Sequence, residues 1–330
     1  MNQMQWIVPH SAPMTGTQEV AAITRVIESG HLAQGRETRA FEEECAAVVG
    51  RKFGVAVNSG TSALHLVLEV LKFDSPVVVP TYGCAALITA VHLAGATPIL
   101  GDIGEDFNLA PVSLNNAPII LPHLFGVRAT VPESARVIED LAQSIGGPTG
   151  KFGVAAIASF YATKMITTGE GGMVLTDDTA LADAVRDRRD YDGRDDFQRR
   201  YNYKMTDLQA AMGREQLKRL PAFIARRRSI ARAYDEAFAE LPMQLPTGEH
   251  HVYFRYVALT PRRAMLEANL NANGIEAKRP VFRPAHHFLG GDFPMAERAH
   301  NEAISIPIYP AMSNEQVGQV IAAVRGFFAH

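Results

Sequence analysis

Residues Ala158 to Leu175 read A-S-F-Y-A-T-K-M-I-T-T-G-E-G-G-M-V-L. The run from Ala155 to Ala162 predicts a buried strand that delivers Lys164 into a glycine-rich turn, Gly169 to Gly172. A second strand, Met173 to Thr176, leaves the far side of that turn. Lysine is almost never fully buried unless something pairs with it, yet Lys164 stands between two apolar runs. One reading is a strand-end lysine whose stem crosses apolar surface to reach water. The other is an amine held covalently as a Schiff base, which removes the charge that makes burial costly. The rest of the chain decides between them.

A chain of 330 residues exceeds what one core usually serves, so two domains sharing one site are expected. The formal charge of -3 carries no footprint of a nucleic-acid or membrane-surface partner. Two cysteines, Cys45 and Cys84, form neither a framework nor a C-x-x-C pair and read as reduced thiols. The N-terminal segment lacks the pattern of a signal peptide, and no run approaches the roughly 20 apolar residues of a membrane span. A soluble cytoplasmic protein is the expectation.

Outward from the lysine, strands and helices alternate. Val20, Ile23 and Ile27 fall at helical spacing after a Thr15–Gln18 capping signal, and Gly30 ends that helix. Phe41, Cys45 and Val48 mark a second helix. Short apolar strands at Phe53 to Val57, Val77 to Val79, Thr97 to Ile103, Ile119 to Leu121 and Val137-Ile138 alternate with helices at Thr61 to Leu71 and Ala85 to Leu93. That alternation predicts a mainly parallel sheet covered on both faces. Thr206 and Gln209 form a capping box for a helix that Pro221 interrupts. Helical spacing resumes from Phe223 to Leu241, followed by a strand (Val252 to Leu259) and helices at Arg263 to Asn273 and Glu315 to Phe327. We therefore expect a large domain over residues 1–225 and a smaller α+β domain over 226–330.

Two further stretches bear on the lysine. Asn58-Ser59-Gly60-Thr61-Ser62 lies where a strand ends and a helix begins, where free N–H groups and the helix dipole favour a phosphate. A plain Ser cap is the alternative. Asp140 falls just past the end of a buried strand, where ligands of open α/β sheets gather; an N-cap of a following helix is the alternative. A carboxylate there can keep a pyridine nitrogen protonated. Opposite charges about 4 Å apart at an effective dielectric near 20 are worth roughly 4 kcal/mol. Phosphate loop, strand-end aspartate and strand-end lysine would share one sheet edge, as pyridoxal 5'-phosphate requires.

With these residues the sequence resembles the pyridoxal-phosphate-dependent sugar aminotransferases of the DegT/StrS family. Gly30 to Gly35 with Phe41-Glu42, Val57 to Leu64, Val79 to Tyr82, Ala94 to Pro98 with Asp102, Ile138 to Ser144, Ser159 to Lys164, Gly169 to Gly172, Tyr201 to Ala211 and Ser305 to Pro310 carry the resemblance. It implies fold type I, with a seven-stranded, mainly parallel sheet and a smaller C-terminal domain. It implies Lys164 as the cofactor-binding and proton-shuttling amine, Asp140 on the ring nitrogen and Gln143 on the ring oxygen. Gly60, Thr61, Ser62 and Ser159 would hold the phosphate. Asn202 would reach the neighbouring subunit's phosphate in a homodimer. The implied reaction transfers an amino group from glutamate or glutamine to a keto-sugar, of the nucleotide-linked keto-deoxysugar class, for surface polysaccharide or a secondary metabolite. The cofactor would pass through its pyridoxamine form. Histidine replaces the lysine in dehydratases of the family, which Lys164 argues against. A regulatory pyridoxal-phosphate protein, or another pyridoxal reaction such as sulfur transfer through Cys84, is the rival.

Cys84 stands where the family places an aromatic ring against the cofactor, and reads as a small buried apolar residue. Arg283 and His286 are substrate candidates by resemblance, with solvated surface as the alternative. His250-His251 and His286-His287 lack i, i+4 spacing or a nearby carboxylate, so no metal site is expected. Arg226-Arg227-Arg228 reads as a solvated helix face, and Trp6 as packing of an N-terminal arm.

Overall fold

The computed structural model describes residues 6–73, 75–111, 117–132, 136–248 and 250–329. Seven strands form the main sheet: β1 (Phe53–Val57), β2 (Val77–Pro80), β3 (Pro98–Gly101), β4 (Ile119–Pro122), β5 (Val137–Asp140), β6 (Ala155–Ser159) and β7 (Gly172–Thr176). Their order is β1-β7-β6-β5-β4-β2-β3. All run in one sense except β7, which is antiparallel to both β1 and β6. The carboxyl ends of β1, β2, β4, β5 and β6 therefore share one edge with the amino end of β7.

Strand residues alternate between two cores, as the two-residue period requires. Ala56, Ala156, Ala158 and Leu175 face α2 (Arg36–Val49) and the long α6 (Asp207–Phe238). Val55, Val57, Ala155, Ile157 and Val174 face α3 (Gly60–Leu71), α4 (Ala86–Leu93) and α5 (Thr179–Arg188). Burial on both faces explains why these strands are almost wholly apolar. A third core gathers α6 beyond Ile230, the antiparallel pair β8 (Tyr256–Leu259) and β9 (Ala303–Ile306), α7 (Arg263–Ala272) and α10 (Asn314–Phe328).

Several local expectations need correction. Pro221 does not interrupt α6, which runs unbroken through it and past residue 225. The first helix, α1 (Thr17–Ser29), is capped one residue later than expected, by Gly16 donating its N–H to Glu19 Oε2 at 2.8 Å. Its buried face is Glu19, Ala22 and Val26, so Val20 and Ile27 point to solvent. Arg227 is not solvated. It is buried, and its Nη1 donates to the carbonyls of Tyr253, Phe254 and Ile308 at 2.8 to 3.1 Å. Arg226 and Arg228 likewise donate to carbonyls of Met312 and His251. The arginine run ties α6 to the segments that carry His251 to Phe254 and Ile308 to Met312. The arm at Trp6 is half-buried, and Val8 beside it bridges Ile275.

Candidate active site

The turn from β1 into α3 packs backbone against backbone. Val57 lies opposite Gly172, and Gly172 opposite Ser159, so the three form a row across the edge. A Cβ on Gly172 would stand 2.3 Å from the Ser59 carbonyl carbon and 2.6 Å from the Gly60 nitrogen. One on Gly60 would stand 2.8 Å from Ser159 Cβ. Ser59 caps α3 by accepting the Ser62 N–H at 3.0 Å, and the Ser62 hydroxyl donates to Asn58 Oδ1 at 2.7 Å. Among the described residues the N–H groups of Gly60 and Thr61 have no carbonyl partner, as first-turn donors of a helix do not. Asn58 is held in turn by its N–H on Tyr203 O at 2.8 Å and its amide on Asn202 O at 3.3 Å. The segment carrying Asn202 thus lies along the loop of its own chain, with the Asn202 side chain exposed.

Asp140 is the last residue of β5, and no α-helix follows it. Its Oδ1 accepts the Ala142 N–H at 2.8 Å in a local turn. Burial pushes its carboxyl above the usual aspartate range, while the Ala142 N–H and the charge of Lys164 oppose that shift. Gln143, in the same irregular turn, accepts the Phe125 N–H on Oε1 at 2.7 Å. That bond fixes the amide so that Nε2 remains a donor, the polarity a ring oxygen needs.

Lys164 follows β6 in a turn closed by its own N–H on Tyr161 O at 2.9 Å, and anchored by buried Met165 and Ile166. Its Nζ lies 5.3 Å from the Phe254 ring centre, a ring that Arg255 approaches at the same distance. Burial lowers the amine below the ordinary lysine range; Asp140 and Cys84 oppose this, and Arg255 adds to it. Asp140 and Lys164 therefore act on each other, without an ion pair between them among the described residues. Arg255 donates to the His10 ring at 2.9 Å rather than to a carboxylate, and burial lowers it to about 10.

Cys84 is exposed, not buried, because the turn before α4 leaves it outside both cores. Arg283 is also exposed; its guanidinium folds over Phe288 and donates to His287 O at 3.0 Å. His286 is buried, with Nδ1 2.8 Å from Thr81 Oγ1. The expectation of no carboxylate near the His286-His287 pair is overturned. The fold brings Glu297 to both rings, 3.2 Å from His286 Nε2 and 2.7 Å from His287 Nε2.

Asp207 has a second task that the sequence pattern does not show. It accepts N–H groups from Gly35, Glu37 and Thr38 and the Thr38 hydroxyl, capping α2 from another helix. The Thr206 capping box, which the structure contains, was the visible signal there; the second task of Asp207 needs tertiary contact.

The sequence profile of the DegT/DnrJ/EryC1/StrS aminotransferase family matches residues 13–325. The chain belongs to this family. It is 33% identical to the spore coat polysaccharide biosynthesis protein SpsC of Bacillus subtilis (strain 168), covering 96% of each chain. It is 30% identical to the UDP-N-acetyl-3-dehydro-alpha-D-glucosamine 3-aminotransferase of Acidithiobacillus ferrooxidans, covering 96% of this chain and 95% of the relative. Among solved structures, DesV of S. venezuelae in complex with a ketimine intermediate superposes with a TM-score of 0.88 at 30% identity, covering 94% of each chain. This DegT/DnrJ/EryC1/StrS member is an aminotransferase of fold type I. Among the described residues no helix is long and apolar enough to cross a membrane.

Proposed function

We propose that the chain transfers an amino group from glutamate or glutamine to a nucleotide-linked keto-sugar, using pyridoxal phosphate bound between Lys164 and Asp140. The observation that carries this reading is the row Val57–Gly172–Ser159, with Lys164 and Asp140 on the same sheet edge. The residues fit the cofactor. A Cβ on Gly60 or Gly172 would collide with Ser159 or with the turn itself, so the glycines let the turn seat on the sheet edge, where its first-turn N–H groups are left to bind a phosphate. Asp140 and Lys164 are a mutually sensitive acid and amine. When bound, the group supplies an aldehyde to carry nitrogen and an electron-withdrawing ring.

The chain's own residues do the rest. Gly60, Thr61, Ser62 and Ser159 bind the phosphate. Asp140 holds the proton at the ring nitrogen, and Gln143 donates Nε2–H to the ring oxygen. Lys164, its proton affinity lowered by burial, would move the proton between carbon centres. Arg255, a half-buried cation with no carboxylate partner among the described residues, suits the carboxylate of the amino donor. The relatives named for a UDP-linked keto-sugar and for coat polysaccharide support the acceptor class.

We further propose a cytoplasmic homodimer that joins two chains through the outward face of α1, with Asn202 reaching the partner's site. The division into residues 1–225 and 226–330 would place its hinge within α6. Arg283 and His286 would line the sugar side, and Cys84 the cofactor's edge. Borohydride reduction of the holoprotein followed by peptide mapping tests the assignment: the label belongs on Lys164. Amine-form enzyme should then regain its aldehyde-form absorbance with one member of a nucleotide keto-sugar panel. A label on another lysine would overturn the reading.

A further inference from the structure

We propose that His286, His287 and Glu297 form a binding site for one divalent transition cation of the zinc class, at the rim where the smaller unit meets the ends of β2 and β3. The three ligand atoms, one from each residue, lie within 4.8 Å of one another. Two imidazoles and one carboxylate, with a further position open to solvent, is a donor set that zinc uses. Both histidines stand at α8 (His286–Leu289), and Glu297 comes from α9 (Pro294–Glu302) ten residues on.

The groups behind the ligands have the arrangement a metal site needs. His286 Nδ1 lies 2.8 Å from Thr81 Oγ1, so that ring can keep its proton on Nδ1 and turn the Nε2 lone pair toward a cation. Asn301 donates to Glu297 Oε1 at 3.0 Å, which leaves Oε2 facing both histidines. Among the described residues no lysine or arginine pairs with Glu297, so its charge is answered only by the imidazoles. The neighbouring guanidinium of Arg279 is turned to His300 Nε2 at 3.0 Å. Without a cation, Glu297 Oε2 lies within hydrogen-bond distance of both Nε2 atoms; a cation would stand between them, with each ring's proton on Nδ1.

The position suggests what the ion does. Ala285 and His286 donate to Thr81 O and Oγ1, docking α8 on the end of β2. Asp102, just past β3, accepts the Met295 and Ala296 N–H groups at the start of α9. A cation held by both helices would lock these two attachments together beside the active-site edge.

The test is titration of the untagged full chain with Co²⁺, a coloured stand-in for Zn²⁺. One equivalent per chain should bind, with four- or five-coordinate d–d absorption that Zn²⁺ abolishes. Glu297→Gln and His287→Ala should each weaken binding at least tenfold, and Thr81→Val by about 10–100-fold. His287→Cys should add a thiolate-to-cobalt band absent from the wild type. If the wild-type chain shows no such absorption, or if it shows a thiolate band from Cys84 or Cys45, the site does not exist. Unchanged affinity in folded Glu297→Gln overturns it as well. The wild-type titration decides even where a variant fails to fold, and it is independent of the aminotransferase reading.

Discussion

Glu139 and Asp140, neighbours on β5, point to opposite faces of the sheet and are displaced in opposite directions from ordinary carboxylate acidity. Glu139 is fully buried. It accepts the His123 Nε2–H at 3.0 Å and the N–H groups of Gly150, Phe152 and Gly153 at 2.7 to 2.9 Å. Ala129 donates to His123 Nδ1 at 3.0 Å, which leaves Nε2 as the nitrogen that donates to Glu139. Burial alone would push Glu139 up, but these donors hold it down at about 2. Asp140 has one backbone donor, and burial prevails. The contrast separates a structural carboxylate, spent on the loop behind β5, from one left for chemistry.

Glu139→Gln should destabilise the fold by about 3 kcal/mol or more, because the amide NH₂ would face donors it cannot accept. The sign of the pH effect follows from the depressed value. Stability from Glu139 is present above its unfolded pKa of about 4.3 and is lost as pH falls toward 2. Denaturant unfolding between pH 7 and pH 2.5 should show that slope in the wild type and a shallower one in the variant. Equal slopes would sever Glu139 from acid stability.

Asp140→Asn should behave in the reverse manner. A carboxyl raised by burial costs stability once pH passes its unfolded pKa, so the amide should melt no lower than the wild type at pH 7. Activity should nevertheless fall about a thousandfold, the equivalent of the roughly 4 kcal/mol with which a carboxylate holds the ring proton. A melt and a kcat measured on one preparation separate the two effects. Near wild-type turnover would remove Asp140 from the site.

Gly172→Ala should abolish cofactor retention while leaving much of the sheet intact. The added methyl would meet backbone of Ser59 and Gly60, which has no rotamer by which to yield. The turn must then separate from β7, taking the phosphate donors with it. Gly169→Ala is the control. That glycine has φ +80 but open space around it, so the cost is conformational, about 1–2 kcal/mol, and displaces no neighbour. Cofactor content measured by absorbance should separate the pair; equal retention would mean that the β1–α3 turn is not the phosphate site.

Lys164, Asp140 and the β1–α3 turn were legible in the sequence because each sits at a strand end, and strands show in a run of four or five apolar residues. The sheet edge then brings them together without further information. Glu297 beside His286, Asp207 beneath α2 and Arg227 against three carbonyls were not legible, since each contact joins separate elements through one side chain, with no periodic pattern to announce it. The burial of Arg227 also defeats the rule that charge runs are solvated, because three backbone carbonyls converge on its Nη1 from two other segments of the chain. The short helices α8 and α9 left no periodic signal for a similar reason: they are held by Thr81 and Asp102, not by an apolar face alone.

The orientation of α1 gives the last expectation. Periodicity selected Val20, Ile23 and Ile27 as its inward stripe, but the helix packs α6 through Ala22 and Val26. Glu19 is buried with them, paired to Arg219 at 2.7 Å and to Gln216 at 2.7 Å. That polar anchor fixes the helix's rotation and turns Val20 (65% exposed) and Ile27 (59%) outward, near exposed Leu32. Clustered exposed aliphatics mark an interaction surface more often than a free one, and a second copy of the chain is the partner we propose. Val20→Glu with Ile27→Glu should therefore fold normally, since neither side chain is in the core, yet sediment as a monomer. The same variant should lose turnover if Asn202 serves the partner's site. A wild-type chain that sediments as a monomer at working concentration would contradict the dimer, and a variant that remains dimeric would move the interface elsewhere.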